Sequence, residues 1–274
     1  MKRVKIIVLF TCYNRKEKTI SAIKKINNSC LNVEFLIIDD KSTDGTVESI
    51  NKLNQVKKKV IVSNGNLYYS RGMRMGMEYL LGKKKKYDYL LIINDDVDFY
   101  EGFLEKMIDF SLEKNGIVIG STIDSNGKLS YGGIKYRNKF SSKFKRVGPE
   151  YIEECDTFNA NCVLIPYDSF EKCGAIDKHY THSIGDFDYG FKLKKCGYKL
   201  YMLNEYVGLC NRNSIDNTWQ DKSLNISERL RKKKQIKGLP FKQNFYYFYK
   251  NFNIFLAIKC SITPYIRILL KRWG

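Results

Sequence analysis

Two histidines and four prolines in 274 residues are the chain's clearest shortages. With only His179 and His182 available, histidine-rich metal sites and most Ser-His-Asp triads are excluded by count. The eight cysteines, at positions 12, 30, 155, 162, 173, 196, 210 and 260, contain no Cys-x-x-Cys and no paired spacing. That pattern suits the reduced thiols of a cytosolic protein rather than a disulfide frame or a zinc site. No window reaches the roughly 18 consecutive apolar residues of a membrane-crossing helix. The opening Met1-Lys2-Arg3-Val4-Lys5-Ile6 has neither the apolar stretch nor the small-residue cleavage site of a signal peptide. Four prolines and 19 glycines leave no linker or low-complexity tract, and no repeat is present.

Acidic residues are also few, 29 against 48 Lys and Arg, for a net charge of +19. Such an excess implies an anionic partner surface: nucleic acid, anionic lipid or a phosphorylated substrate. The runs at 83–86 and 229–234 read as solvated basic faces. What is plentiful is apolar and aromatic material, 43% and 14% of the chain, enough for a substantial core.

The run Leu90-Leu91-Ile92-Ile93 reads as a strand buried on both faces, and it ends abruptly in Asn94-Asp95-Asp96-Val97-Asp98. In open α/β sheets the ligand crevice lies at the carboxyl ends of the strands. Carboxylates gathered there repel one another unless a cation sits between them, and an oxygen-rich cluster suits Mg²⁺ or Mn²⁺ with phosphate oxygens completing the shell. Upstream, Val4 to Phe10 reads as a strand, Ile20, Ile23 and Ile26 as the apolar face of a helix, and Val33 to Ile38 as a second strand. This is a right-handed βαβ unit. Ser42, Thr43 and Asp44 are expected to cap a helix through Val47, Ile50 and Leu53. Val60 to Val62 makes a third strand, followed by Asn64-Gly65-Asn66 and a helix from about Tyr69 to Leu81. Three strands therefore deliver Asp39 and Asp40, the loop from Gly65 to Gly76, and Asp95 and Asp96 to one sheet edge, as a nucleotide-sized site.

The segments Thr11-Cys12-Tyr13-Asn14-Arg15, Asp39-Asp40-Lys41-Ser42-Thr43-Asp44-Gly45-Thr46 and Asn94-Asp95-Asp96-Val97 resemble the three successive signatures of family 2 glycosyltransferases. Asn159 to Pro166 resembles that family's acceptor-side strand. Phe170 to Asp177, Gly185 to Leu193 and Cys196-Gly197-Tyr198 resemble its catalytic-base region. The likeness covers roughly residues 4–215. It implies a GT-A fold: an α/β, Rossmann-like mixed sheet with flanking helices that binds a nucleotide-sugar. The expected division is a catalytic domain over 1–215, with a nucleotide-sugar half at about 1–100 and an acceptor half at 101–215, then a helical extension over 216–274.

The resemblance also implies roles. Asp96 would hold Mn²⁺ or Mg²⁺, with Asp95 supporting the ribose or the metal and Asp98 an outer candidate. Asn94 stands where many relatives carry a further acid. Asp39 would accept from a pyrimidine ring N–H, making UDP or dTDP the carrier, while Thr11 and Tyr13 line the base pocket and Asn14, Arg15, Asp40 and Gly65 border it. Many relatives place an Arg-Asn pair before the residue that is Gly76 here; this chain offers Arg71 or Arg74 instead. Gly185 replaces a common Glu, so the general base passes to Asp186, with Asp188 as second candidate. Asn161 and His182 are candidates on the acceptor side. The metal-binding histidine of many relatives is missing from Val207 to Asn213, where Cys210 or Asn211 could substitute or the ligand be absent.

After Pro240 the composition changes to Phe241, Phe245, Tyr246, Tyr247, Phe248, Tyr249, Phe252, Phe255, Leu256 and Ile258, interleaved with Lys242, Lys250 and Lys259. Helices with apolar and cationic faces lie in the plane of anionic membranes; packing on the domain as a lid or dimer contact is the other reading. The expected enzyme moves a sugar with inversion to a glycan or lipid-linked acceptor in bacterial surface polysaccharide synthesis. It would work in the cytoplasm at the inner face of the plasma membrane, with no nucleic acid as partner. Two other classes compete. A sugar-phosphate nucleotidyltransferase needs a glycine-rich loop after the first strand, and residues 11–16 contain no glycine. A non-catalytic polyanion binder explains the charge but not acids at three strand ends.

Overall fold

The computed structural model describes residues 4–29, 31–84 and 86–270; Met1 to Arg3, Cys30, Lys85 and the basic end Lys271 to Gly274 lie outside them. β1 (Lys5–Cys12), α1 (Lys16–Asn27), β2 (Asn32–Asp39), α2 (Thr46–Asn51), β3 (Lys58–Val62), α3 (Tyr68–Leu81) and β4 (Tyr89–Ile93) alternate as the apolar periodicity requires. The four strands are parallel in the order β3-β2-β1-β4. Every residue of β4 is buried, as a strand covered on both faces must be. Alternation along β1 sends Ile6, Val8 and Phe10 to one core cluster and Ile7 and Leu9 to the other.

The second half continues the sheet with mixed directions. β5 (Asp98–Phe99), α4 (Phe103–Lys114), β6 (Ile117–Ile123), β7 (Leu129–Tyr131), β8 (Gly133–Tyr136), β9 (Phe144–Val147) and β10 (Thr157–Phe158) come first. β11 (Cys162–Pro166), α5 (Tyr167–Cys173), α6 (Gly185–Lys195) and β12 (Leu200–Leu209) complete it. β11 enters antiparallel between β4 and β6, and β12 and β5 extend the edge. β10, β8 and β9 form a separate three-stranded sheet. The result is the mixed, flanked sheet that the sequence implies.

The start of α2 differs from expectation. Gly45 holds the cap position at φ 81° with no side-chain cap bond. Asp44 accepts instead from the Thr46 and Lys16 backbone N–H groups at 3.1 and 3.0 Å, tying α2 to α1.

α7 (Ile226–Lys234), a 3₁₀ turn (Ile236–Gly238), α8 (Phe241–Asn251) and α9 (Ile254–Leu269) close the described chain. A capping box between Asn225 and Glu228 starts α7. α8 is fastened to the catalytic layers by the Tyr247–Tyr136 hydroxyl bond at 2.9 Å and by Lys250 and Asn251, each 2.7 Å from Asp188. α9 packs on α8 and α7 but leaves Phe255, Ile258, Ile262, Ile266 and Leu269 exposed at helical spacing.

Candidate active site

A cavity of about 1020 Å³ opens at the carboxyl ends of β1, β2 and β4, facing the first turn of α6. Thr11, Tyr13, Asn14 and Arg15 line one wall. Asn14 adopts the left-handed conformation at φ 49°, which a short polar side chain tolerates. Its Oδ1 accepts from Thr43 N at 2.7 Å and its own N–H donates to Ser42 Oγ at 2.9 Å, stitching the turns after β1 and β2 together.

The four carboxylates of the two strand ends divide into distinct tasks. Asp39 still belongs to the β2 ladder and is fully buried, its oxygens taking Ser42 N–H at 2.8 Å and the Cys12 thiol at 3.4 Å. Strand alternation puts its neighbour Asp40 on the cavity wall instead. Asp39, expected to accept from a base, stands behind Cys12, whose thiol it takes and which lines the cavity. Asp40 accepts from Ser63 Oγ, Leu67 N and Tyr68 N at 2.7, 3.0 and 3.0 Å, which shapes the Asn64-Gly65-Asn66 loop along the cavity. Asp95, 3% exposed, takes Thr19 Oγ1 at 2.8 Å and Arg15 at 3.2 Å. Burial raises its pKa, opposed by the Arg15 charge and the Thr19 bond. Asp96 takes the same Arg15 Nη1 at 2.8 Å.

Three expected site residues, Asp98, Arg71 and Arg74, lie off the cavity wall. Asp98 lies in β5, paired opposite Leu209, with its exposed carboxylate on Lys25, and does not reach the cavity. Arg71 has an exposed side chain, and Arg74 is held by Glu78 at 2.5 Å and the Ile176 carbonyl at 3.3 Å. The reason lies in α3: a Cβ on Gly76 would stand 2.3 Å from Leu9, so this face presses flat on the sheet and the arginines project sideways. The cations on the cavity wall are Arg15, Lys41 and Lys237.

At the opposite wall, α6 begins after Ile184 in the left-handed conformation, φ 56°. Asp186 lines the cavity and accepts from Ala160 N at 3.2 Å and Phe187 N at 2.9 Å. Burial pushes its pKa up to about 6. Gly185 has a steric reason: a Cβ would stand 2.4 Å from Ser70 Oγ, which donates to the His182 carbonyl at 2.7 Å. Asp188 points away from the cavity into the bonds with Lys250 and Asn251, so the second candidate base is an anchor for α8. Asn161 and His182 both line the cavity. His182 Nδ1 is buried with no partner, its ring edge-on to Tyr68. Burial and then the Lys237 charge lower its pKa to about 4, so it is neutral near pH 7.

Two residues of the site carry weak sequence signals. Cys210 follows β12 and brings its thiol 3.7 Å from Asp96 Oδ1, while Asn211 turns away to Ser125 N. Burial, then Asp96, pushes that thiol up to about 12. Lys237 opens the Lys237-Gly238-Leu239-Pro240 stretch; buried Lys233 fixes that turn by donating to the Gly238 and Leu239 carbonyls at 2.7 and 2.6 Å. Among the described residues no cluster of three or more His, Cys, Asp or Glu could by itself hold a metal ion. Asp96 on the cavity wall is compatible with a hard ion that takes one or two carboxylates and completes its shell from phosphates and water.

The mixed α/β sheet with flanking helices and a nucleotide-sized cleft at the carboxyl ends of its parallel strands has the GT-A fold. The chain belongs to glycosyl transferase family 2, whose family model matches residues 7–172. Succinoglycan biosynthesis protein ExoA of Rhizobium meliloti (strain 1021) is 22% identical over 216 residues, 73% of this chain and 61% of that protein. The chain thus spans less than two thirds of that relative's length. Among solved structures, the mannosyltransferase PcManGT from Pyrobaculum calidifontis, in complex with GDP-Man and Mn²⁺, superposes with TM-score 0.58 at 13% identity. That match covers 98% of this chain and 74% of the other. S. aureus TarS also gives 0.58, at 12% identity, over 76% of this chain and 37% of TarS; its fragment 1–349 in complex with UDP gives 0.56 at 11% identity, over 97% of this chain and 81% of the fragment.

Proposed function

We propose that the protein is an inverting transferase that moves a sugar from UDP or dTDP to a hydroxyl of a glycan or lipid-linked acceptor in bacterial surface polysaccharide synthesis. The observation that carries this is Asp186, a carboxylate poised near neutrality in the same cavity as the Arg15, Asp95 and Asp96 cluster. A general base works best with a pKa near the operating pH. Asp186 would take the acceptor hydroxyl's proton as that oxygen attacks the anomeric carbon, and one displacement inverts the configuration. No second nucleophile is required.

Thr11, Tyr13 and the Asn64–Asn66 loop supply the wall against which a base and ribose would lie, with Asn94 between them and Asp95. Arg15 places a cation where the diphosphate must sit, while Asp95 and Thr19 hold it in position. Asp96 would carry Mn²⁺ or Mg²⁺ there, and such an ion supplies Lewis-acid neutralisation of the leaving diphosphate. UDP in the TarS fragment and Mn²⁺ in PcManGT support this reading by analogy of fold. The name of ExoA supports the polysaccharide context.

We place residues 1–215 as the catalytic unit and 216–274 as an extension with two roles, delivery of Lys237 to the cavity and contact with an anionic membrane at the cytoplasmic face. Nine of the nineteen exposed large apolar side chains among the described residues lie between Phe241 and Leu270. Exposed Lys242, Lys259 and Arg267 lie among them. No described helix is long and apolar enough to cross a membrane. The test is a thermal shift with UDP, dTDP, GDP and CMP, each with and without Mn²⁺. Stabilisation by a pyrimidine diphosphate alone supports the reading, and no shift with any nucleotide removes it.

A further inference from the structure

Residues 177–184 join α5 to the first turn of α6 and so lead directly to Asp186. They form no helix or strand, yet Tyr180 and Thr181 are buried. A buried loop must find partners for its polar groups. Here they come from two helices. In the first turn of α3, Ser70 Oγ donates to the His182 carbonyl at 2.7 Å and Arg71 N to the Thr181 carbonyl at 3.2 Å. α8 supplies the rest. Gln243 Oε1 accepts from Thr181 N at 3.3 Å, and Gln243 Nε2 donates to Thr181 Oγ1 at 3.0 Å. Further along α8, Tyr246 Oη and Lys250 Nζ donate to Asp177 Oδ2 at 2.9 and 2.8 Å. The Tyr246 ring stacks on His179 with centres 4.1 Å apart. With Asp188 also held by Lys250 and Asn251, α8 grips the chain on both sides of Asp186.

We propose that Gln243 is a positioning residue for the transferase: through Thr181 it sets where α6 begins, and hence where Asp186 stands in the cavity. The proposal rests on the reading of Asp186 as general base and deepens it. The chain turns into α6 at Ile184, whose φ of 56° is left-handed. A β-branched residue is strained there, and such strain persists only where the surroundings over-determine the backbone. Those surroundings are the Gln243 amide on one side of the segment and Ser70 and Arg71 on the other. A primary amide carries both a donor and an acceptor, and Gln243 spends one of each on Thr181. Neither partner can shift without straining both bonds. Asp186 accepts from the Ala160 and Phe187 backbone N–H groups, so its carboxylate stands where the backbone of α6 puts it. Displacing a reacting group by about 1 Å can cost about 10²-fold in rate. His182, which follows Thr181 on the cavity wall, is set by the same bonds.

The test follows Asp186 in the full chain by carboxyl carbon-13 NMR of aspartate-labelled protein, with Asp186→Asn to assign the signal. Burial is what raises this group, against the backbone N–H groups it accepts from. The Tyr69 and Tyr136 hydroxyls, on which its charge acts, stay neutral throughout. Wild type is expected to titrate near 6, and Gln243→Leu to fall toward the ordinary 3.8 as water reaches the carboxylate. Amide hydrogen exchange over 181–188 should quicken at least about tenfold in that variant, with the amides of β1 and β4 unchanged. Thr181→Val keeps its N–H bond to Gln243 and should give a smaller change of the same sign. Gln243→Glu still accepts from Thr181 N–H and should recover part of the wild-type behaviour, which separates positioning from folding. If either readout stays unchanged in Gln243→Leu, whatever the melting temperature does, Gln243 is a packing residue and the proposal is overturned. Wild-type Asp186 already titrating near 3.8, with exchange still dependent on Gln243, would leave the clamp standing and remove the base assignment instead.

Discussion

Arg15 Nη1 lies 2.8 Å from Asp96 Oδ2 and 3.2 Å from Asp95 Oδ1, so the carboxylate assigned to a divalent ion already has a counter-cation. Asp96 would hold the ion and Arg15 would face the diphosphate beside it, so the two cations would share the neutralisation of the leaving group. UDP at a hundred times its dissociation constant stabilises by about 2.7 kcal/mol. Asp96→Ala should abolish the Mn²⁺-dependent part of the melting shift and leave an Arg15-dependent remainder. Equal UDP shifts with and without Mn²⁺ in the wild type would show Arg15 sufficient alone.

Asp186 should trade stability against activity. Asp186→Asn should keep UDP binding and lower kcat by about 10²–10⁴, the usual worth of a positioned base. In the wild type, kcat/KM should rise with pH through about 6, as the carboxylate ionises. The stability sign runs the other way. The folded value lies above the unfolded 3.8, so this group's contribution is fullest below that value and fades as pH climbs through about 6. Asp186→Asn should therefore be more stable at pH 7, by roughly 1–2 kcal/mol after allowance for partial solvation. A urea melt at pH 5 and pH 7.5 checks it: the gain must be larger at the higher pH.

The strands β1 to β4 were legible because each is a continuous apolar run that ends in polar residues, and the paired acids after β4 mark where the sheet opens. Side-chain direction was not legible. Whether Asp39 or Asp40 faces the cavity depends on one step of strand alternation. Whether Arg71 and Arg74 reach it depends on Gly72 and Gly76 pressing α3 against Thr11 and Leu9. Asp98 lies off the cavity because β5 is only two residues long and draws its register from Gly208 and Leu209 of β12. Lys237 reaches the cavity, and Cys210 reaches Asp96, by tertiary contacts alone.

Lys250 joins the extension to the catalytic layers through a carboxylate with no solvent exposure. Its side chain is 26% exposed, and its ammonium lies 2.7 Å from Asp188, whose side chain is 0% exposed. Removing one member of such a pair costs about 3–5 kcal/mol, because the other charge stays buried alone. Lys250→Met should fall near the lower end, since the ammonium is partly solvated and Asn251 still serves Asp188. Lys250→Met with Asp188→Asn should recover more than half of the loss in a urea titration. No recovery would mean that α8 is held by its apolar contacts and not by this pair.

The exposed stripe on α9 makes the strongest prediction about where the protein works. Phe255 is 80% exposed, and Ile258, Ile262, Ile266 and Leu269 follow at intervals of three or four residues, all between 42% and 57%. One face of a helix packed on α8 is therefore apolar along its length, beside exposed Lys259 and Arg267. Such a face inserts at the headgroup boundary, and each basic residue near an anionic surface adds about 1 kcal/mol. Wild type should sediment with vesicles containing phosphatidylglycerol, and less so as salt shortens the screening length. Phe255→Glu with Ile262→Glu should abolish sedimentation while leaving UDP binding and the melting temperature in place. If the double variant instead changes the sedimentation coefficient of the free protein and vesicles bind neither form, the stripe is covered by a second copy of the chain.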